Sequence, residues 1–217
     1  MGAITMIDSG GTSSRLYEAG DGPAGVVVLH PWWGLNDDVI AYADRLAEMG
    51  FTVVAPDMFG GEVATTVEGA ERLARAADEE VINGIVLATI DRLAGRLGPD
   101  AKIAVLGFSF GAHWAVWGPA ARDQVTATVL YYGTTGDNLT SSGAPVLGHF
   151  AEDDPYETLE WVAEFEETLR SGGRDVVIHR YPGAGHWFAE PSQTAYRPED
   201  TDLAFDRTVA FLRTHLG

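Results

Sequence analysis

Ile103, Ala104, Val105 and Leu106 run together without a polar residue and lead straight into Gly107-Phe108-Ser109-Phe110-Gly111. An apolar run with no alternation suits a strand buried on both faces, which requires a layer of structure on either side of it. The Gly-X-Ser-X-Gly that follows is the pattern of a tight strand-to-helix turn holding a serine in strained backbone geometry. A Cβ at position 107 or 111 would collide with the neighbouring strand or helix, a physical reason for both glycines. A helix beginning here aims free N–H groups and its positive end at Ser109. Five residues make a common pattern. It points to a nucleophile only if a base, an acid and an oxyanion site lie at matching places.

The rest of the chain supplies the layers. Ala3–Asp8 and Ser14–Glu18 flank the turn Ser9-Gly10-Gly11-Thr12 and read as an edge hairpin. Val26–Leu29 is a β-branched strand, followed by His30-Pro31-Trp32-Trp33-Gly34 and a helix that Asn36-Asp37-Asp38 caps and Gly50 stops. Thr52–Ala55 completes a strand–helix–strand crossover. Helices are expected at Val67–Ala77, Glu79–Leu97, Thr158–Arg170 and Asp202–Leu216, with Leu159 and Leu203 among their buried faces. Further strands are expected at Ala127–Tyr131, Val146–Phe150 and Val176–Tyr181. The count is eight strands, six of them buried: an α/β fold with a mostly parallel, doubly wound sheet, in a single domain over residues 1–217.

The 217 residues include no cysteine, which excludes disulfides and a thiolate nucleophile and fits a reducing compartment. No signal-like leader or membrane-length apolar stretch is visible, so a cytoplasmic protein that does not enter the membrane is expected. The formal charge of −18 repels phosphate backbones and argues against nucleic-acid partners.

A serine hydroxyl needs a base within hydrogen-bond reach. Of six histidines, His186 stands apart, in the glycine-rich loop Pro182-Gly183-Ala184-Gly185-His186-Trp187-Phe188 directly after the last strand. The base needs a carboxylate to orient it, and Glu152-Asp153-Asp154-Pro155-Tyr156 follows the preceding strand. Asp154 is the first choice there, Asp153 the second, and Asp137 a weaker alternative after an earlier strand. Ser109, Asp154 and His186 then fall in the order Ser…Asp…His, each behind its own strand. Oxyanion donors are expected from the backbone N–H of Phe110 and from the loop after Val26–Leu29. Pro31 has no N–H, so Trp32 is the better candidate and Trp33 the next. The aromatics flanking these residues, among them Trp33, Phe108, Trp187 and Phe188, are candidates for lining an apolar substrate cleft.

These stretches resemble the dienelactone hydrolase family, a compact branch of the α/β-hydrolases. The likeness covers Trp32-Trp33-Gly34-Leu35-Asn36, Ala55-Pro56-Asp57-Met58-Phe59, the Ser109 turn, Asp154-Pro155-Tyr156 and Gly185-His186-Trp187-Phe188. The resemblance implies the α/β-hydrolase fold and an esterase or lactonase acting on a small molecule through a nucleophile–His–Asp triad, with no metal and no cofactor. It assigns the acid to Asp154 through the following Pro-Tyr. Three positions depart from the family pattern: serine replaces the usual cysteine nucleophile, Pro31 replaces a glutamate, and Glu190 stands where an arginine holds the substrate carboxylate. A carboxylate facing the cleft at position 190 would repel an anionic lactone. The expectation is therefore a serine hydrolase for carboxylic esters or lactones, with acyl transfer, peptide cleavage or a non-catalytic binding role as the alternatives.

Overall fold

A computed structural model describes residues 2–136 and 143–217, so Asp137 lies outside the described residues. Eight strands form one sheet in the order β1-β2-β4-β3-β5-β6-β7-β8. In chain order they are β1 (Ala3–Ser9), β2 (Thr12–Ala19), β3 (Gly25–Leu29), β4 (Thr52–Pro56), β5 (Ile103–Phe108), β6 (Val125–Tyr131), β7 (Val146–Ala151) and β8 (Val176–Tyr181). The β1–β2 hairpin is antiparallel, as is the β2–β4 pair, and all pairs from β4 to β8 are parallel.

Six α-helices cover the two faces: α1 (Asp37–Glu48), α2 (Val67–Ala76), α3 (Glu79–Leu97), α4 (Ala112–Ala121), α5 (Leu159–Ser171) and α6 (Pro198–Leu216). The apolar central strands send alternate residues to opposite layers. Val26, Val28, Ala104 and Leu106 meet Tyr42 and Leu46 of α1 and Phe205 and Leu212 of α6 in one core. Val27, Leu29, Ile103 and Val105 meet Ile90 of α3, Val116 of α4 and Phe165 of α5 in the other. Among the described residues, no helix is long and apolar enough to cross a membrane.

Three local expectations shift. β8 borders the sheet and only its ends are fully buried, with Val177 40% exposed, so it is an outer strand rather than a sixth interior one. Leu159 and Leu203 lie on outer helix surfaces, since the stripes facing the core pass through Val162, Phe165 and Leu169 and through Phe205, Val209 and Leu212. The last helix starts four residues early, at Pro198, because a fixed φ and a missing N–H suit its first turn.

Strand order places the site. β3 continues to β4 on one side, while β5 lies on its other side, so the chain winds in opposite directions from these neighbours. Loops leaving two such strands at their carboxyl ends diverge and leave a crevice. The loop from Pro31 leaves β3 there and the Ser109 turn leaves β5, with Leu29 paired to Gly107 at the last rung.

Candidate active site

Strand β5 ends at Phe108, and Ser109–Gly111 form a single 3-10 turn before α4 begins. The close approach that the glycines allow is measurable. A Cβ on Gly107 would lie 2.5 Å from the carbonyl carbon of Gly111, and one on Gly111 would lie 2.6 Å from the Leu29 oxygen. The turn is thus pressed between its own strand and β3, which holds Ser109 at φ 45°. Ser109, Tyr132 (φ 37°) and Trp187 (φ 65°) are the non-glycine residues with positive φ among those described. All three gather at this one place, the clustering expected where a fold holds strained backbone for use.

His186 Nε2 lies 2.9 Å from Ser109 Oγ, and His186 Nδ1 lies 2.6 Å from Asp154 Oδ2. The histidine and the aspartate are 5% and 7% exposed, so the relay is screened from bulk water. The other oxygen, Asp154 Oδ1, accepts the N–H groups of Tyr156 (2.8 Å) and Glu157 (3.1 Å), so the loop after β7 folds around its own carboxylate. The Asp153 side chain is exposed, while its N–H donates to Ala184 O and ties this loop to the one carrying His186. Glu157 accepts the N–H and hydroxyl of Thr134 at 3.1 and 2.7 Å, joining the loop after β7 to the loop after β6. Burial pushes the Glu157 carboxyl up, and its bonds from Thr134 oppose that shift.

The proposed cleft aromatics separate into two groups. Trp32 and Trp187 are half-buried, with ring centroids 5.9 Å apart, and both contact Tyr156, which is 42% exposed. Tyr156 also lies 5.0 Å from the His186 ring. Trp33 is buried beneath them, 5.3 Å from Trp187. Phe108 stacks on Tyr131 at 4.6 Å, and Phe188 packs on Tyr181 at 4.7 Å; both are buried in the core. The Phe110 side chain lies against Phe59 and Trp114.

Glu190 does not face substrate. It is 2% exposed, its Oε1 accepts the Tyr132 hydroxyl at 2.9 Å, and burial pushes its carboxyl up to about 8. The expected repulsion of an anionic lactone assumed a carboxylate facing the cleft, whereas this group is buried and burial shifts it toward its neutral form. Tyr132 is the contact that sequence reading misses. Its ring packs 5.0 Å from His186, although in the sequence it reads only as the residue that follows a strand.

The dienelactone hydrolase family model matches residues 16–216. A protein of Azospirillum brasilense whose name proposes a carboxymethylenebutenolidase is 32% identical, over 99% of this chain and 98% of its own length. Protein usf of Aquifex pyrophilus is 28% identical, with both chains fully covered. Among solved structures, a dienelactone hydrolase-like promiscuous phosphotriesterase from metagenomic libraries superposes with a TM-score of 0.87 at 21% identity, covering 100% of this chain and 99% of that one. A cold-adapted esterase from an Arctic intertidal metagenomic library gives 0.74 at 18% identity, over 99% and 93%. These likenesses show a shared fold. With a family match running from the second strand to the final turn of the last helix, the chain belongs to the dienelactone hydrolase family.

Proposed function

We propose that this protein hydrolyses carboxylic esters or lactones through a covalent acyl intermediate on Ser109. Hydrolysis of such bonds is the chemistry of the family. The observation that carries the finer reading is the unbroken relay from Ser109 through His186 to Asp154, at 2.9 and 2.6 Å.

In this mechanism His186 Nε2 takes the hydroxyl proton as Ser109 Oγ attacks the substrate carbonyl carbon. Asp154 holds the Nδ1–H tautomer and stabilises the imidazolium that forms. The developing oxyanion accepts hydrogen bonds from the backbone N–H groups of Trp32 and Phe110. Collapse of the tetrahedral species breaks the carbon–oxygen bond, and the proton on His186 passes to the departing alkoxide. Water, deprotonated by His186, then attacks the acyl-enzyme and releases the acid. Trp32, Tyr156 and Trp187 offer apolar faces beside the histidine, which suits an uncharged acyl or alkoxy group.

The decisive experiment compares wild type with Ser109→Ala on short p-nitrophenyl esters and on a neutral and an anionic lactone, alongside fluorophosphonate labelling. Loss of turnover and of labelling in the folded variant is the expected result. Undiminished hydrolysis by Ser109→Ala would remove the assignment.

A further inference from the structure

His30 is fully buried at the end of β3, one residue before the loop that the proposed mechanism uses for its oxyanion. Both ring nitrogens are engaged. Nε2 accepts the N–H of Met58 at 2.9 Å, and Nδ1 lies 2.7 Å from the carbonyl oxygen of Pro31. A backbone N–H can only donate and a carbonyl can only accept, so the partners assign the neutral tautomer with its proton on Nδ1. Burial holds the imidazole down at about 4, so it stays uncharged throughout the neutral range. With both nitrogens occupied and no solvent access, His30 has no means of relaying protons to substrate.

The carbonyl it grips belongs to the same peptide unit as the N–H of Trp32. That peptide is trans, as are all those described, so its C=O and N–H point in opposite directions across one rigid plane. The Pro31 oxygen accepts a second bond, from Gly34 N–H at 3.1 Å. Two donors on the oxygen fix the rotation of the plane and hence the direction of the Trp32 N–H. They also polarise the amide and strengthen that N–H as a donor. The same backbone touches the nucleophile turn: a Cβ on Gly111 would lie 2.9 Å from the His30 oxygen. Met58, at the other end of the His30 bridge, follows Asp57, which Arg15 holds from β2 at 2.9 Å. The bridge is thereby anchored to the antiparallel side of the sheet.

We infer that His30 is a positioning residue that aims the Trp32 N–H at the oxyanion by bridging the Pro31 carbonyl to the loop after β4. This rests on the hydrolase reading above and adds to it a residue that never meets substrate but governs transition-state binding. Removing the bridge frees one donor while leaving the nucleophile, the base and the aromatic faces in place. The loss therefore falls on kcat and spares KM.

The test uses the full chain with His30→Leu, which removes both bonds, and His30→Gln, whose amide has a donor and an acceptor. With p-nitrophenyl acetate, His30→Leu is expected to lower kcat by about 10- to 100-fold, less than the roughly 100- to 1,000-fold of an oxyanion donor removed outright because the Trp32 N–H remains but is no longer held in place, and to leave KM within about threefold. Affinity for a trifluoromethyl ketone, which forms a tetrahedral adduct, should fall in parallel, while affinity for the product acid should not. His30→Gln should recover much of the loss. Imidazole nitrogen NMR of the wild type should show the Nδ1–H tautomer with no titration between pH 5.5 and 9, a readout that stands even if His30→Leu fails to fold. An Nε2–H tautomer, a titration near neutrality, or a folded His30→Leu with wild-type kcat would overturn the inference. Ser109→Ala separates the two levels. If it is active, the hydrolase reading falls and takes this one with it; if it is inactive beside an undiminished His30→Leu, only the role of His30 is lost.

Discussion

The Tyr132 hydroxyl donates to Glu190 Oε1 at 2.9 Å, and Tyr132 in turn lays its ring 5.0 Å from His186. An acid four residues beyond His186 is thus drawn into the interior instead of standing at the surface. Burial raises the Glu190 carboxyl from the ordinary glutamate range to about 8 and raises the Tyr132 hydroxyl well above its own.

This pair gives stability a pH dependence of known sign. Between about 4.5 and 8, the unfolded chain has lost the Glu190 proton while the folded chain keeps it. Unfolding therefore becomes easier as pH rises through this window, by several kcal/mol at roughly 1.4 kcal/mol per unit. Glu190→Gln keeps a neutral acceptor for Tyr132 and should flatten that slope, becoming more stable than wild type at pH 8.5. Urea midpoints measured at pH 6 and 8.5 for both proteins check this, and parallel slopes would show that Glu190 does not carry the effect.

Asp154 and Asp153 are adjacent but differ in kind. Asp154→Asn leaves the fold nearly unchanged but disturbs the tautomer of His186, so kcat should drop by about 10⁴-fold. Asp153→Asn, exposed and without a side-chain role in the relay, should stay within about twofold. Steady-state kinetics on one ester decides between them, and the reverse ranking would reassign the acid.

Gly111→Ala should destabilise the protein by about 1–3 kcal/mol through overpacking, because the new methyl meets the Leu29 oxygen and the turn has to move. Since that turn carries Ser109, activity should fall by more than the unfolded fraction explains. Chemical denaturation alongside burst titration of active sites separates the two losses.

Substrate charge should matter through the whole surface and not through Glu190. With a formal charge of −18, the protein repels an anionic ester at a distance, and salt screens that repulsion. kcat/KM for an anionic ester should rise severalfold between 20 and 300 mM salt while that of its neutral isostere stays flat. An unchanged ratio would place the discrimination in local contacts.

The sheet, its crossovers and the loops carrying Ser109, Asp154 and His186 were legible because each depends on a local signal: an unbroken apolar run, a glycine pair, a capping acid, a turn after a strand. Asp154 over Asp153 was readable only as a preference, since adjacent residues share every such signal and differ in direction alone. Phe108 and Phe188 show the same blindness, for an aromatic beside a functional residue can face the cleft or the core. The roles of Tyr132, Glu190 and His30 were hidden for another reason. They depend on contacts between loops distant in sequence, Tyr132 to Glu190 and His30 to Met58, which no periodicity announces. β8 reads like its neighbours because nothing in six residues tells whether another strand lies beyond them.

Ser109, Tyr132 and Trp187 occupy a backbone region that suits glycine or asparagine better than a bulky residue. At Tyr132 the buried ring and the hydroxyl bound to Glu190 oppose such a replacement, so a population selected for heat resistance alone should be drawn first to Ser109, where relaxing the turn should cost turnover. Durability and reactivity pull against each other there. Hardier descendants that keep their chemistry should instead carry their changes on the outer faces of α2, α3 and α5, far from the crevice.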